Sequence, residues 1–326
     1  MDSQHVRLAV VGCGRWGINH VRTAHPLLES NLKYACDSNP AAAVNVREIS
    51  PSIPFTSSKE DVLGNKDVNA VIIATPAGTH FDITKEFLLA GKHCLVEKPI
   101  TLVSRQAREL NEIAEAQKKT LMVGHVLLFH PAVVKLKRLV KSGKIGKLQY
   151  IYSNRLNLGA IRSEENILWS FAPHDISVIQ FLTESEPVDI FANGAHFVRE
   201  GIEDTTIMYL VYPENVHCHI FVSWLHPFKE QRLVVIGEKG MIVFEDSAKT
   251  DKLKFYPKGF RKTDIGLEKF EGAFEPIQFS SEAPLAEEHR HFYHCVASGD
   301  RPLTDGPHAI GVLEILERAT QRLKNE

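Results

Sequence analysis

Residues Val6–Gly17 read VRLAVVGCGRWG, an apolar run that leads directly into three spaced glycines. The apolar half predicts a buried β-strand, and a helix is expected to begin near Ile18. In such a strand–turn–helix unit, Gly12 permits a tight turn, Gly14 lets a pyrophosphate approach the backbone, and Gly17 allows close packing of helix on strand. The stretch therefore predicts a dinucleotide site, with the phosphates at the helix N-terminus.

An acidic residue follows at the spacing that this interpretation requires. The segment Leu32–Cys36 predicts a second strand, and Asp37 lies 25 residues after Gly12, where about 20 are expected. Asp37 should bind the adenosine ribose diol, although a helix cap or turn residue is the alternative. The next residues, Ser38–Pro40, include no arginine to pair with a 2′-phosphate, which favours NAD over NADP.

Bulk properties narrow the class of protein. A chain of 326 residues favours two domains, and a net charge of −2 without a long basic run argues against nucleic-acid or membrane partners. Five scattered cysteines without a C-x-x-C pair favour reduced thiols. Met1–His5 shows no charged leader, and no apolar run could span a bilayer, so a cytoplasmic location is expected.

The first third of the chain alternates between strand and helix patterns. The strands Val68–Ala74, His93–Val96 and Leu121–Val123, joined by helices, predict a parallel sheet. Ligands of such sheets bind at the carboxyl ends of the strands, where four residues are expected to meet: Thr75, Pro76, Glu97 and Lys98. The predicted domains are an NAD-binding domain over 1–123 and a second, substrate-binding and oligomerisation domain over 124–326.

After Gly124 the strands alternate and are joined by short turns, which predicts an open, mainly antiparallel sheet in an α+β domain. The predicted strands are Leu148–Arg155, Val188–Phe197, Thr205–Tyr212, Val216–Trp224, Gln231–Gly237 and Gly240–Glu245. The predicted helices are Ala132–Ser142, Pro173–Leu182, Leu285–Ser298 and Pro307–Arg322. Ile220, Val222 and Trp224 are expected on an exposed sheet face that a second copy of the chain would cover.

Four motifs in order resemble the Gfo/Idh/MocA oxidoreductases. They are the glycine motif, Ala74-Thr75-Pro76, Glu97-Lys98-Pro99 and Pro173-His174-Asp175. The resemblance implies a Rossmann domain, an open-sheet domain, NAD and a homodimer or homotetramer. It also implies that Lys98 contacts the nicotinamide ribose and the substrate hydroxyl, and that His174 accepts the proton. The cofactor residues predicted are Gly12, Gly14, Arg15, Trp16, Gly17, Asp37, Thr75, Pro76, His80, Glu97 and Lys98.

The chemistry of alcohol oxidation agrees with these two assignments. Oxidation of a secondary alcohol transfers a hydride to the nicotinamide and releases a proton, so a base with a pKa near the working pH is needed. Histidine suits that role, and a nearby ammonium such as Lys98 would stabilise the developing alkoxide. The structural alternatives are a helix-terminal residue at His174 and a solvated charge at Lys98.

Substrate specificity is indicated by a departure from the family pattern. Many members carry an aspartate four residues before the histidine, where this chain has Ser170, which argues against inositols and simple sugars. Trp169 either stacks on a sugar ring or packs at an interface. Arg155 and Arg162 either bind a substrate phosphate or carboxylate or form surface ion pairs, and Asp175 completes the predicted substrate residues.

The segment 157–166 resembles branches of the family associated with nucleotide sugars of surface polysaccharides or lipid A. The resulting hypothesis is a UDP-N-acetyl-amino-sugar 3-dehydrogenase that forms a 3-keto sugar. A non-catalytic NAD-binding sugar sensor and a keto-sugar reductase are the alternatives.

A histidine cluster raises the question of a metal. His291 and His294 share a predicted helix face near Glu287 and Glu288, which could form a metal site. Core packing explains the segment better, because apolar residues at helical spacing run through it and the family needs no metal.

Overall fold

The computed structural model describes residues 2–163 and 165–323. The chain forms two compact units: one comprises the chain up to Phe129 together with Glu282–Leu313, the other His130–Ser281 together with the chain from Glu314. The boundary predicted at residue 123 places both C-terminal helices in the second domain, whereas in the structure Glu282–Leu313 groups with the first unit. Glu164, inside the segment that suggested nucleotide sugars, lies outside the described residues, as do Met1 and residues 324–326.

The first unit is built on a six-stranded parallel sheet with helices between its strands. Its elements are β1 (Leu8–Val11), α1 (Gly17–Leu28), β2 (Leu32–Cys36), α2 (Ala42–Ile49), β3 (Phe55–Thr56), α3 (Lys59–Leu63), β4 (Ala70–Ile73), α4 (His80–Leu89), β5 (His93–Glu97), α5 (Ser104–Ala116) and β6 (Leu121–Gly124). The strand order is β3-β2-β1-β4-β5-β6, the doubly wound order of dinucleotide-binding sheets. All four residues of β1 and of β4 are buried, as expected for strands covered on both faces. The predicted parallel sheet is confirmed.

The second unit contains an eight-stranded sheet. The remaining elements are α6 (Pro131–Lys141), β7 (Leu148–Leu158), α7 (Ile167–Thr183), β8 (Asp189–Ala195), β9 (Thr205–Tyr212), β10 (Val216–Ser223), β11 (Leu225–Gly237), β12 (Gly240–Glu245), β13 (Leu253–Tyr256), β14 (Lys258–Thr263), β15 (Gly266–Glu271), β16 (Glu275–Pro276), α8 (Pro284–Ser298) and α9 (Gly306–Leu323). The sheet order is β16-β13-β12-β11-β7-β10-β9-β8. Only the pair β7–β10 is parallel among these described strands, so the prediction of a mainly antiparallel sheet is confirmed.

Residues 282–313 belong with the first unit because the segment between α8 and α9 bonds to its sheet. The backbone N–H of Val123 in β6 donates to the carbonyl of Thr304 at 2.8 Å. The Thr304 hydroxyl donates back to the Val123 carbonyl at 2.7 Å. Hydrogen bonds between residues this far apart in sequence cannot be seen in local patterns.

Helix α7 begins earlier than predicted. The expected start at Pro173 was wrong: the helix begins at Ile167, and the Asn166 side chain accepts the N–H of Trp169 at 3.2 Å as an N-cap. Pro173 therefore lies inside the helix, where its missing N–H is destabilising. The buried apolar residues along α7 offset that loss. His174 is consequently an interior residue of the helix.

The exposed face of the large sheet was assigned to the wrong residues. Ile220, Val222 and Trp224 are 1%, 0% and 0% exposed, because this side of β10 packs beneath helix α7. Side chains alternate along a strand, so the opposite set faces outward. The outward apolar residues include Phe191 and Ile207, which are 52% and 50% exposed.

Two bulk expectations can be compared with the structure. All five cysteines are free and buried, and burial raises the pKa of Cys13, the cysteine of the glycine motif, to about 12. Within residues 2–163 and 165–323, every helix is too short or too polar to cross a bilayer.

Candidate functional site

The glycine turn after β1 has three glycines with different surroundings. Gly12 adopts φ +91°, and a Cβ there would lie 2.7 Å from the Ala74 carbonyl carbon. A Cβ on Gly17 would lie 1.8 Å from the Gly12 carbonyl oxygen, whereas one on Gly14 would have no neighbour within 4 Å. Gly12 and Gly17 are therefore required by the packing of the turn itself. Gly14 presents open backbone at the start of α1, as a bound pyrophosphate requires.

Asp37 follows β2 and faces the glycine turn. Its carboxylate accepts the N–H of Cys13 at 2.7 Å and the N–H of Asn39 at 2.8 Å. Each carboxylate oxygen retains a further lone pair, which a ribose diol could use. The structure brings Asp37 and the glycine motif together, and the residues present fit a bound NAD.

His80 plays a structural part beneath the loops that follow β4 and β5. It is 1% exposed, with Nδ1 at 2.8 Å from the Pro99 carbonyl oxygen and Nε2 at 2.8 Å from that of Thr75. Both ring nitrogens therefore face carbonyl oxygens of the protein, and at least one of them donates a hydrogen bond. We interpret His80 as a residue that joins the two loops, in place of the direct cofactor contact predicted for it. Thr75 and Pro76 lie on the first of these loops.

Glu97 is the second predicted cofactor residue whose side chain is used internally. Its Oε1 accepts the indole N–H of Trp16 at 2.6 Å and lies 2.9 Å from His20 Nε2, while its Oε2 accepts the backbone N–H of Lys98 at 3.1 Å. Burial favours the neutral acid, but the hydrogen bonds from His20 and Trp16 and the charge of Lys98 lower the pKa of Glu97 overall. Glu97 thus fixes the backbone at Lys98 and the glycine turn.

His20 was missed by sequence analysis, although a signal for it exists. It lies four residues after Trp16, so the two side chains share one face of α1. A fully buried histidine on that face needs a polar partner, and Glu97 supplies one.

Arg15, another of the predicted cofactor residues, is exposed on the glycine turn.

In the second unit, Arg155, which is partly buried, forms an ion pair with the buried Asp175. Arg155 Nε and Nη2 donate to the two carboxylate oxygens of Asp175 at 2.8 and 3.0 Å, and the Ser153 hydroxyl donates to the same carboxylate at 2.6 Å. Arg155 lies within β7, not at its predicted end. The two residues satisfy each other beside His174, so we interpret them as supports of that histidine and not as separate substrate ligands.

The other predicted substrate residues differ in how their side chains are used. The Trp169 indole N–H donates to the Thr320 hydroxyl of α9 at 2.9 Å, which favours packing over ring stacking. Ser170 is buried on α7. Arg162 is exposed, and its Nε lies 3.9 Å from Glu165 Oε1, so this cation can be reached by a ligand.

The histidines of α8 point to separate partners. His289 Nε2 lies 2.8 Å from His20 Nδ1, His291 Nε2 accepts the N–H of Leu303 at 2.9 Å, and His294 pairs with Asp300 at 3.0 Å. No group of three metal-binding side chains occurs among the described residues. His289 instead belongs to the surroundings of Glu97.

The glycine turn yields a matched pair of substitutions. Gly17→Ala should lower the free energy of unfolding by about 1–3 kcal/mol, because the new methyl group would clash with the Gly12 carbonyl. Gly14→Ala should leave stability within about 0.5 kcal/mol of the parent but weaken NAD binding about tenfold, because the methyl group would cover open backbone. Thermal unfolding and titration calorimetry measure both, and equal behaviour of the two variants would contradict this reading.

The Arg155–Asp175 pair yields a second test. Asp175→Ala should lower the free energy of unfolding by about 3 kcal/mol, because the partly buried guanidinium of Arg155 would lose its carboxylate. Arg162→Ala should change it by less than about 0.5 kcal/mol, since its ion pair is exposed. Urea denaturation measures both free energies of unfolding, and equal losses in the two variants would contradict the structural role assigned to the Arg155–Asp175 pair.

Comparison with known proteins assigns both parts of the chain. Residues 6–125 match the family model of the oxidoreductase family with an NAD-binding Rossmann fold, and residues 133–243 match the Gfo/Idh/MocA C-terminal domain. Among solved structures, a Magnetospirillum magnetotacticum protein described as an oxidoreductase is 32% identical, with a TM-score of 0.82 over 96% of this chain and 99% of its own.

Curated relatives include enzymes with different substrates. The chain is 32% identical over 203 residues to a UDP-N-acetylglucosamine 3-dehydrogenase of Acidithiobacillus ferrooxidans, and 28% identical over 204 residues to an inositol 2-dehydrogenase of Rhizobium meliloti. The matches span 62% and 61% of the chain and the same shares of the relatives' own lengths. With both domains matched, the chain belongs to the Gfo/Idh/MocA family of oxidoreductases, and its first domain is the family's NAD-binding Rossmann fold.

Proposed function

We propose that this protein is an NAD-dependent dehydrogenase that oxidises a ring hydroxyl of a sugar, specifically C3 of a UDP-N-acetyl amino sugar. The observation that carries the proposal is the position of Lys98, directly after β5 in an NAD-binding sheet, with its backbone held by Glu97. Ligands of such sheets bind at this edge. A lysine held there can meet both the cofactor and a substrate hydroxyl.

In the proposed reaction the substrate loses a hydride from carbon and a proton from oxygen, and a carbonyl group forms. NAD, when bound, supplies the hydride acceptor. His174 takes the hydroxyl proton, and the Lys98 ammonium donates a hydrogen bond to the oxygen as negative charge develops on it. Asp175, the next residue, is locked by Arg155, which limits movement of the backbone at His174.

The narrower substrate proposal has two supports. One is the similarity to the UDP-N-acetylglucosamine 3-dehydrogenase of Acidithiobacillus ferrooxidans, although the inositol dehydrogenase of Rhizobium meliloti is nearly as similar. The other is the exposed guanidinium of Arg162, which is suited to a diphosphate. Ser170, where many family members carry aspartate, favours a sugar other than inositol.

Two alternatives keep the same site. A keto-sugar reductase would run the same proton and hydride transfers in reverse, with His174 as the acid. A sugar sensor would bind NAD and sugar without turnover, but the presence of both Lys98 and His174 favours an enzyme.

The cytoplasmic location expected from the sequence stays a prediction.

The first experiment follows absorbance of reduced nicotinamide while NAD or NADP is mixed with UDP-amino sugars, free sugars and inositols. Turnover is expected with NAD and a UDP-N-acetyl sugar. Turnover with an inositol alone would overturn the narrower proposal. Silence with every alcohol, and with every corresponding ketone mixed with reduced nicotinamide, while NAD binding is intact, would favour the sensor.

Replacement of the central lysine tests its role directly. Lys98→Ala should lower kcat at least about 100-fold, because the developing alkoxide would lose its cationic donor, while NAD affinity changes less than about threefold. Lys66→Ala, an exposed lysine on a loop of the same unit, is the control and should leave both unchanged. Full activity of Lys98→Ala would remove Lys98 from the mechanism.

We also propose that the chain forms a homodimer or homotetramer through the outward face of its eight-stranded sheet. That face exposes Phe191 and Ile207, and a second copy would bury them. Ile207→Glu should shift the molar mass from light scattering toward the monomer, because the interface would then bury a charge. Val44→Glu, at an exposed position on α2, is the control, and a monomeric parent protein would refute the proposal.

A further inference from the structure

A chain of hydrogen bonds continues from Glu97 into the interior of the first unit. Glu97 Oε1 lies 2.9 Å from His20 Nε2, and His20 Nδ1 lies 2.8 Å from His289 Nε2. His289 Nδ1 lies 3.0 Å from the Tyr293 hydroxyl. Both histidines are 0% exposed, and their rings are stacked with centroids 5.1 Å apart. The chain thus connects α8, α1, the glycine turn and β5.

The donors and acceptors of the chain can be assigned from Glu97 outward. An ionised carboxylate only accepts, so His20 Nε2 donates to Glu97. His289 is neutral, because burial and the neighbouring His20 hold its pKa well below the usual range. One nitrogen of His289 therefore donates and the other accepts. If His20 carries a single proton, His289 donates to His20 Nδ1 and accepts the Tyr293 hydroxyl, and if His20 carries two, both of these bonds reverse. In both arrangements His20 holds Glu97.

A second buried carboxyl group, that of Glu288, lies in the same unit but differs from Glu97 in its charge. Glu288 is 0% exposed, and neither of its carboxyl oxygens has a hydrogen-bond partner among the described residues. Burial and the charge of Glu97 raise the pKa of Glu288 well above the usual range, so it is the neutral acid. Of the two carboxyl groups, the charge resides on Glu97, where Trp16, His20 and the backbone of Lys98 donate to it.

The far end of the hydrogen-bonded chain, at Tyr293, indicates whether the chain conducts protons or holds Glu97 in place. Tyr293 is 2% exposed, and burial raises its pKa further above the usual range. Among the described residues, the Tyr293 hydroxyl has no hydrogen-bond partner other than His289, so the hydrogen-bonded chain ends at a buried phenol. We therefore interpret this hydrogen-bonded chain as one that holds Glu97 in place and does not carry protons from the reaction.

We propose that His20 and His289 are positioning residues that act through Glu97 on Lys98 and on the glycine turn. The inference rests on the proposed dehydrogenase function, because Lys98 is the group whose placement it explains. Neither histidine touches substrate or cofactor in this assignment. Their loss should lower kcat per folded molecule while the KM for the sugar stays nearly constant, because Lys98 would leave the geometry needed in the transition state.

A pair of substitutions at His289 separates hydrogen bonding from packing. His289→Leu removes the bond to His20 and should lower kcat about tenfold. His289→Gln places an amide near the former Nε2 and should keep kcat within about threefold of the parent. A solely structural role would lower the melting temperature of both variants without changing kcat per folded molecule, and that result would overturn the proposal.

The two carboxyl groups provide a matched control. Glu97→Gln removes the charge that holds the chain and should lower kcat at least as much as His289→Leu. Glu288→Gln is the same chemical change at a group that is already neutral, and it should leave kcat unchanged. Equal losses in the two variants would contradict the assignment of the charge to Glu97.

A readout without turnover distinguishes failure of this inference from failure of the proposed function. The indole N–H of Trp16 donates to Glu97, so its ¹⁵N–¹H signal, assigned with Trp16→Phe, reports the state of that carboxylate. The signal should move in Glu97→Gln and His289→Leu but not in Glu288→Gln. An unmoved signal in His289→Leu overturns the inference even if the parent enzyme is active, whereas a moved signal supports the chain even if no substrate is turned over.

Discussion

The buried carboxylate of Glu97 is the interaction on which the cofactor half of the site depends. An ionised group away from water is stable only when donors surround it, and the first unit supplies an indole, an imidazole and a backbone N–H. These donors come from the glycine turn, from α1 and from Lys98. The hydrogen bonds that offset the desolvation free energy of the Glu97 carboxylate therefore also fix the loops around the proposed site. Gly124 completes the arrangement, because a Cβ there would lie 3.0 Å from Glu97 Oε1.

The second unit uses the same principle around His174. Arg155, Asp175 and Ser153 satisfy one another below the helix that carries the histidine. Charged residues near a predicted site are easily read as ligands, yet here most of them bind each other. The groups left for substrate and cofactor are fewer: open backbone at Gly14, remaining lone pairs on Asp37, the exposed guanidinium of Arg162, and the side chains proposed for chemistry.

Local sequence patterns predicted the parallel sheet and its order of elements because their signals lie within a few residues. Strand Ala70–Ile73 is a continuous apolar run, and the glycine motif follows its strand directly. The patterns failed where long-range contacts decide. Pro173 indicated a helix start, but the Asn166 cap and the apolar face of α7 outweighed it. Alternation along β10 identified two faces but not which of them α7 would cover, so Ile220 and Val222 were assigned to the wrong side.

The sequence by itself determined the class of fold and the dinucleotide site, since each depends on a short motif with a local geometric reason. The roles proposed for Lys98 and His174 come from the resemblance of their motifs to those of the family. The tertiary structure decided which charged and polar residues are available. Glu97 with His20, and Arg155 with Asp175, lie 77 and 20 residues apart in the chain, and nothing in their local sequence states that they bind each other. Partner choice for a buried charge is set by which donors the packed elements bring within about 3 Å, a property of the folded chain alone.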